Sequence, residues 1–162
     1  MKKICLCFFS AILICALVAC HPFGESMNYM EAKADATEIL NKKKDVFETA
    51  VNEIVETKSV SDTNISGVES ILYNEDKGNT IVVFYMKGYG LMTGGQYWGV
   101  YYSSDDNPYT NWGVELVSGS KQGCFYWQEE EAGNLYATER IEEGWFFYYE
   151  DYDGNSHELD WK

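Results

Sequence analysis

A change of character near residue 66 constrains the fold of this 162-residue chain more than any other feature. Residues 28–58 hold no Pro or Gly, and helix formers dominate them. Ala36, Ile39, Leu40, Phe47, Ala50, Val51 and Ile54 recur at three- and four-residue steps. That spacing predicts one long amphipathic helix whose apolar face is interrupted at Lys43. Asp35 with Glu38 three residues on supplies a capping-box pattern where such a helix begins or restarts. Past the polar stretch 60–66 the chain turns into short β-rich runs, at 68–74, 80–87, 96–103, 113–117, 124–129, 135–141, 145–151 and 157–161. Glu75-Asp76-Lys77-Gly78-Asn79, Ala132-Gly133-Asn134, Glu142-Glu143-Gly144 and Asp153-Gly154-Asn155 separate them, each carrying the residues that tight reversals require. Strands joined so closely pair antiparallel. An amphipathic helix cannot bury its stripe alone, so the expected fold is α+β. One long N-terminal helix should pack on a curved antiparallel β-meander of about six to eight strands, laid out like a cystatin-type roll.

The first twenty residues have a different logic. Lys2 and Lys3 precede an apolar run over 4–18, broken only by Ser10. That run has the length of a signal-peptide core and is shorter than the ~20 residues of a spanning helix. It ends in Leu17-Val18-Ala19-Cys20, which resembles the lipobox of bacterial lipoproteins. The resemblance implies cleavage after Ala19 and a diacylglycerol on the Cys20 thiol. It places the protein in the cell envelope, on the outer face of the plasma membrane or in an outer membrane. The expected organisation is a signal peptide over 1–19, a lipid-anchored tether over 20–27 and a single domain over 28–162. The segment 86–112, MKGYGLMTGGQYWGVYYSSDDNPYTNW, is similar to stretches of small uncharacterised bacterial lipoproteins, a resemblance that brings no activity with it.

Cysteines and charge then exclude several classes. Of five cysteines, Cys5, Cys7 and Cys15 leave with the leader and Cys20 carries lipid, so Cys124 stands alone and the mature domain has no disulfide. Flanked by Gly123 and Phe125, Cys124 reads as a small buried hydrophobe, with a reactive thiol as the lesser alternative. Two histidines, His21 and His157, cannot complete a zinc site with one cysteine. Without Lys2 and Lys3, the 12 basic residues fall to ten against 26 acidic ones, a formal charge of −16. Such a domain repels a phosphate backbone, so nucleic acid is not an expected partner. No phosphate cradle or other cofactor motif is present, and no cofactor is expected.

The densest segment supplies the candidate binding surface: Tyr97, Trp98, Tyr101, Tyr102 and Trp112, with Asp105 and Asp106 in the turn between. Asp105, Asp106 and Asn107 offer oxygens to a hard cation, but these residue types are equally those of a solvated turn, and no metal is expected. Asp151-Tyr152-Asp153-Gly154-Asn155 matches the first three ligand positions of an EF-hand loop, then lacks its Gly and its final Glu. A hairpin turn at Asp153-Gly154 accounts for it better. Thirteen tyrosines and five tryptophans exceed what a core of this size needs. In Trp145-Phe146-Phe147-Tyr148-Tyr149 both faces of a strand are aromatic, so either rings are exposed or both faces are covered. The expected function is a membrane-tethered binding protein without enzymatic activity, immunity- or inhibitor-like, whose partner is a basic exported protein. A cell-wall glycan or small ligand stacked on exposed tryptophans is the alternative, and an acid-pair hydrolase comes last.

Overall fold

The computed structural model describes residues 27–60, 63–76, 78–91, 94–152, 159 and 161. The leader, Cys20, the Asp153-Gly154 turn and most of the expected strand at 157–161 lie outside the described residues. The fold is α+β, with two helices and a seven-stranded antiparallel sheet among the described residues.

The expected single helix is two: α1, Tyr29–Lys42, and α2, Lys44–Thr57, of 14 residues each. Helix α1 starts earlier than its Asp35-Glu38 pattern suggests. Asn28 Oδ1 accepts from the Glu31 N–H at 3.0 Å, and the Glu31 carboxylate accepts from the Asn28 N–H at 3.3 Å. Two orphan donors of the first turn are thereby satisfied. Lys43 ends α1 and begins α2, with φ −129 and ψ 23. The cause is legible in the pattern. Lys43 falls on the apolar stripe, where an ammonium cannot be buried without a partner. Leaving the helical conformation lets its Nζ donate to the Ser66 carbonyl instead. The break re-aims the stripe, so α1 lies over the central strands and α2 over β2.

The strands are β1 (Ser70–Asp76), β2 (Asn79–Leu91), β3 (Gly94–Ser103), β4 (Val117–Ser118), β5 (Cys124–Gln128), β6 (Leu135–Glu142) and β7 (Trp145–Asp151). Their order is β1-β2-β3-β7-β6-β5-β4. Two meanders are thus joined by the β3–β7 pair, which runs from Gln96 opposite Asp151 to Tyr102 opposite Trp145. The strand expected at 113–117 shrinks to the two residues of β4. Residues 113–116 do alternate between exposed and half-buried, but their buried side packs on the sheet rather than beside it.

Alternation along β7 builds two cores. Trp145, Phe147 and Tyr149 face the helices, with Phe47, Leu40, Phe84 and Trp98. Phe146 and Tyr148 face the other way, with Ile81, Val83, Tyr101 and Tyr136, and the segment 104–116 covers them through Tyr109, Trp112 and Leu116. Both faces of the sheet are therefore covered. Tyrosine has a reason to be there. The Tyr136 hydroxyl donates to the Tyr109 carbonyl at 2.6 Å, and the Tyr109 N–H donates to the Tyr101 hydroxyl at 3.0 Å. A loop laid on a sheet leaves backbone groups without a ladder, and these phenols satisfy them.

Glu139 of β6 locks α1 to the sheet. It is 6% exposed, paired with Lys33 at 2.7 Å and Lys121 at 2.5 Å, and accepts from the Tyr29 hydroxyl at 3.2 Å. Burial pushes its carboxyl up, but the two ammoniums outweigh that and hold it below the ordinary carboxylate range. A depressed folded pKa contributes stability above the unfolded pKa, and that stability is lost as pH falls through the folded value. Glu139→Gln should therefore cost about 2 kcal/mol at neutral pH. In thermal melts across pH, the gap between wild type and variant should close in acid; a gap that persists there would assign the effect to packing instead.

Candidate functional site

The expected surface does not stay together. In β3 the even-numbered residues face the helices: Trp98 is wholly buried, and Tyr102 packs on Trp145 with ring centroids 5.6 Å apart. Tyr101 faces the other way but is also buried, stacked on Phe146 at 5.0 Å, its hydroxyl 3.0 Å from Thr138 Oγ1. Asp105 and Asp106 hold their turn. Asp105 accepts from Ser103 Oγ at 2.8 Å and from the Asn107 N–H at 3.1 Å. Asp106 takes the Gly144 N–H at 2.8 Å and pairs with Arg140. Among the described residues, no three His, Cys, Asp or Glu side chains converge as a metal site. Cys124 is buried, and desolvation with Glu139 nearby pushes its thiol up to about 11, away from reactive thiolate chemistry.

Tyr97 and Trp112 remain, and they mark a different site. On the sheet face away from the helices lies a cleft of about 490 Å³, of a size that small-ligand sites use. Strand register makes it. Tyr85 of β2 and Tyr148 of β7 stand in one cross-strand row, with Gly99 of β3 between them. Gly99 leaves a gap in that row, and it has no substitute, because an added Cβ would sit 2.1 Å from the Phe84 carbonyl oxygen. In the next row Tyr97 stands directly opposite Glu150. Tyr152 closes one end, its ring 5.8 Å from Tyr97 and 5.0 Å from Trp112. Leu72 and Val83 line the other side, and Asn111 reaches in from the covering loop. Gly88 lets the rings approach, since a Cβ there would meet the Tyr85 hydroxyl and the Tyr97 ring.

Among the described residues, Glu150 is the one carboxylate lining this cleft. The Tyr152 hydroxyl donates to its Oε2 at 3.1 Å. Among the described residues it makes no ion pair. Burial pushes its carboxyl above the ordinary range, outweighing the Tyr152 and Trp112 side chains, which favour the ionised form. Burial first, then the charges of Glu69 and Glu150, raise the Tyr85 phenol to about 12, so it stays a neutral donor. The cleft thus offers ring faces, phenol donors and one acid held without a counterion. Of these residues Tyr85, Tyr148, Glu150 and Tyr152 escaped the sequence reading. Alternation through Phe146, Tyr148 and Glu150 was available as a signal, but which strand faces β7 was not.

A second concavity of about 530 Å³ runs along the outer side of α1, lined by Met30, Ala34 and Thr37 among others. Of its charged members, Lys33 is taken up by Glu139 and Lys42 pairs with Glu38 one turn away, and no buried acid belongs to its described lining. The tyrosine cleft is the better candidate. No family model matches the chain, and no curated protein or solved structure is significantly similar to it.

An unfolded chain ionises Glu150 freely, so the folded state holds its proton more tightly. A raised folded pKa contributes stability below the unfolded pKa, and that contribution is lost as pH rises through the folded value. Glu150→Gln should accordingly raise Tm at neutral pH, with the gain shrinking in acid as the wild-type carboxyl is protonated in both states. A lower Tm for the variant at pH 7 would refute the account of Glu150 as a partly desolvated charge with no cation among the described residues.

Proposed function

We propose that this chain is a lipid-anchored envelope protein that binds a partner through the sheet face opposite its helices, with the tyrosine cleft as the recognition site. The cleft carries the reading: tyrosines on three strands and the segment after β7 surround one half-buried acid. Tyrosine supplies large amphipathic contact area at low conformational cost and recurs at the centres of interfaces. A single carboxylate among the described lining residues supports binding over acid-pair hydrolysis, which uses two. The anchoring part of the proposal rests on Leu17-Val18-Ala19-Cys20. None of the described helices is long and apolar enough to cross a membrane. Cells fed a radioactive fatty acid should label the wild-type chain and not Cys20→Ser; label on the variant removes the anchor.

The partner in this reading is a basic exported protein, for which a formal charge of −16 after removal of the leader is the complement. Charge attraction of this kind is screened over about 8 Å at physiological ionic strength. Envelope extract passed over the immobilised protein should therefore leave behind a basic protein whose retention falls steeply with salt. Tyr97→Ala should reduce that retention roughly tenfold, as loss of a central aromatic anchor does. Retention unaffected by either change would defeat the proposal. A glycan ligand is the second reading, favoured by Ser70 and Asn111, which put a hydroxyl and an amide on the lining beside the tyrosine rings. Cell-wall fragments quenching the fluorescence of Trp112 would support it, and a flat response across a fragment panel would end it.

A further inference from the structure

We infer that the tyrosine cleft is a seat for an ammonium group, the side chain of an exposed lysine on the partner protein, gripped by Glu150 and the rings of Tyr97, Tyr85 and Tyr152. This deepens the proposed function and rests on this face being the recognition surface.

Three observations carry it. Glu150 lies directly opposite Tyr97 in the β3–β7 register, so an acid and an aromatic side chain are cross-strand neighbours on the cleft face. A cation over a tyrosine ring is attracted by the ring quadrupole, and the attraction grows when both are shielded from water. No basic residue belongs to the described lining, so the acid has no internal counterion there. A neutral ligand closing over the cleft would strip water from that charge without replacing it, whereas an ammonium offsets the loss. Leu72, 53% exposed, stands on the lining as an apolar shelf. It suits the alkyl stem of a lysine, which lies along apolar surface while its head seeks charge.

The geometry favours lysine over arginine. With Oε2 already taking the Tyr152 hydroxyl, Glu150 does not present the free two-oxygen edge that a guanidinium fork uses. A compact ammonium needs one oxygen. The titratable groups facing Glu150 are Tyr97 on β3, Tyr136 on β6, Tyr148 on β7 and Tyr152 beyond it, with Tyr85 on β2 behind. Those for which a shift is resolved, Tyr85, Tyr136, Tyr148 and Tyr152, are all raised by burial and remain neutral near pH 7, so Glu150 is the group whose charge sets the affinity.

The test uses the full-length chain in detergent, labelled with 5-fluorotryptophan, with the Trp112 resonance assigned through Trp112→Phe. A Gly-Gly-Lys-Gly-Gly peptide, acetylated and amidated at its termini, should shift that resonance saturably, and the equally capped norleucine counterpart, equal in stem but without the ammonium, should not. Glu150→Gln should weaken the lysine peptide at least about tenfold, as loss of a charged hydrogen bond does. Tyr97→Leu should weaken it about threefold by removing a ring face. Unchanged Trp145 and Trp161 resonances verify that each variant is folded. Equal shifts from both peptides, or undiminished lysine affinity in Glu150→Gln, overturn the ammonium seat. So does a shift from cell-wall fragments but not from lysine, an outcome that leaves the face as a binding surface. If neither the peptides nor the fragments move Trp112, both the seat and the function it rests on fall.

Discussion

The pairing of β3 with β7 is the contact on which the other features depend. It brings together residues about fifty positions apart and joins two meanders that would otherwise be separate small sheets. Backbone bonds extend it at both ends, from the Tyr152 N–H to the Gly95 carbonyl and from the Ser103 N–H to the Gly144 carbonyl. Its register sets which side chains face one another. A slip of one residue would send Glu150 toward the helices and Tyr149 toward the cleft, since side chains alternate between faces. Neighbouring strands pair within each meander, but only this long-range pair makes a common core and a common cleft.

Two acids on adjacent strands, Glu139 buried and Glu150 half-buried, illustrate how the faces differ. Glu139 on β6 points to the helices and meets Lys33 and Lys121; Glu150 on β7 points the other way and meets phenols. Their carboxyls are displaced in opposite directions, down for the first and up for the second. Burial acts on both in the same sense. The cations decide the sign. One acid is a clamp that ties α1 to the sheet, and the other is a charge kept at some cost to stability, as recognition sites often are.

The tyrosine content has two separate explanations. Tyr101 and Tyr136 are core residues whose hydroxyls satisfy the backbone of the segment 104–116, a task phenylalanine cannot perform. Tyr85, Tyr97 and Tyr152 are half-buried and surround the gap at Gly99. Composition alone counts these groups together. Fold position separates them.

What was readable from the chain was local. The helical stripe, its fault at Lys43, the turn residues and the alternation of the strands are short-range patterns, and they led to an α+β fold with an antiparallel sheet. The fault proved deep enough to divide the helix, because an ammonium on the apolar face had a carbonyl at Ser66 to reach for, a partner 23 residues away. Residues 113–116 were strand-like in pattern yet cover the sheet, because burial of alternate residues does not reveal whether a ladder or a sheet face does the burying. Cys20 and its leader belong wholly to sequence and lie outside the described residues. The cleft belongs to tertiary structure. Tyr97 and Trp112 were visible as aromatics, but their companions Tyr85, Tyr148, Glu150 and Tyr152 come from strands distant in sequence. Only the register of β2, β3 and β7 brings them around the missing side chain of Gly99, and register across a long-range pair leaves no mark in composition or spacing.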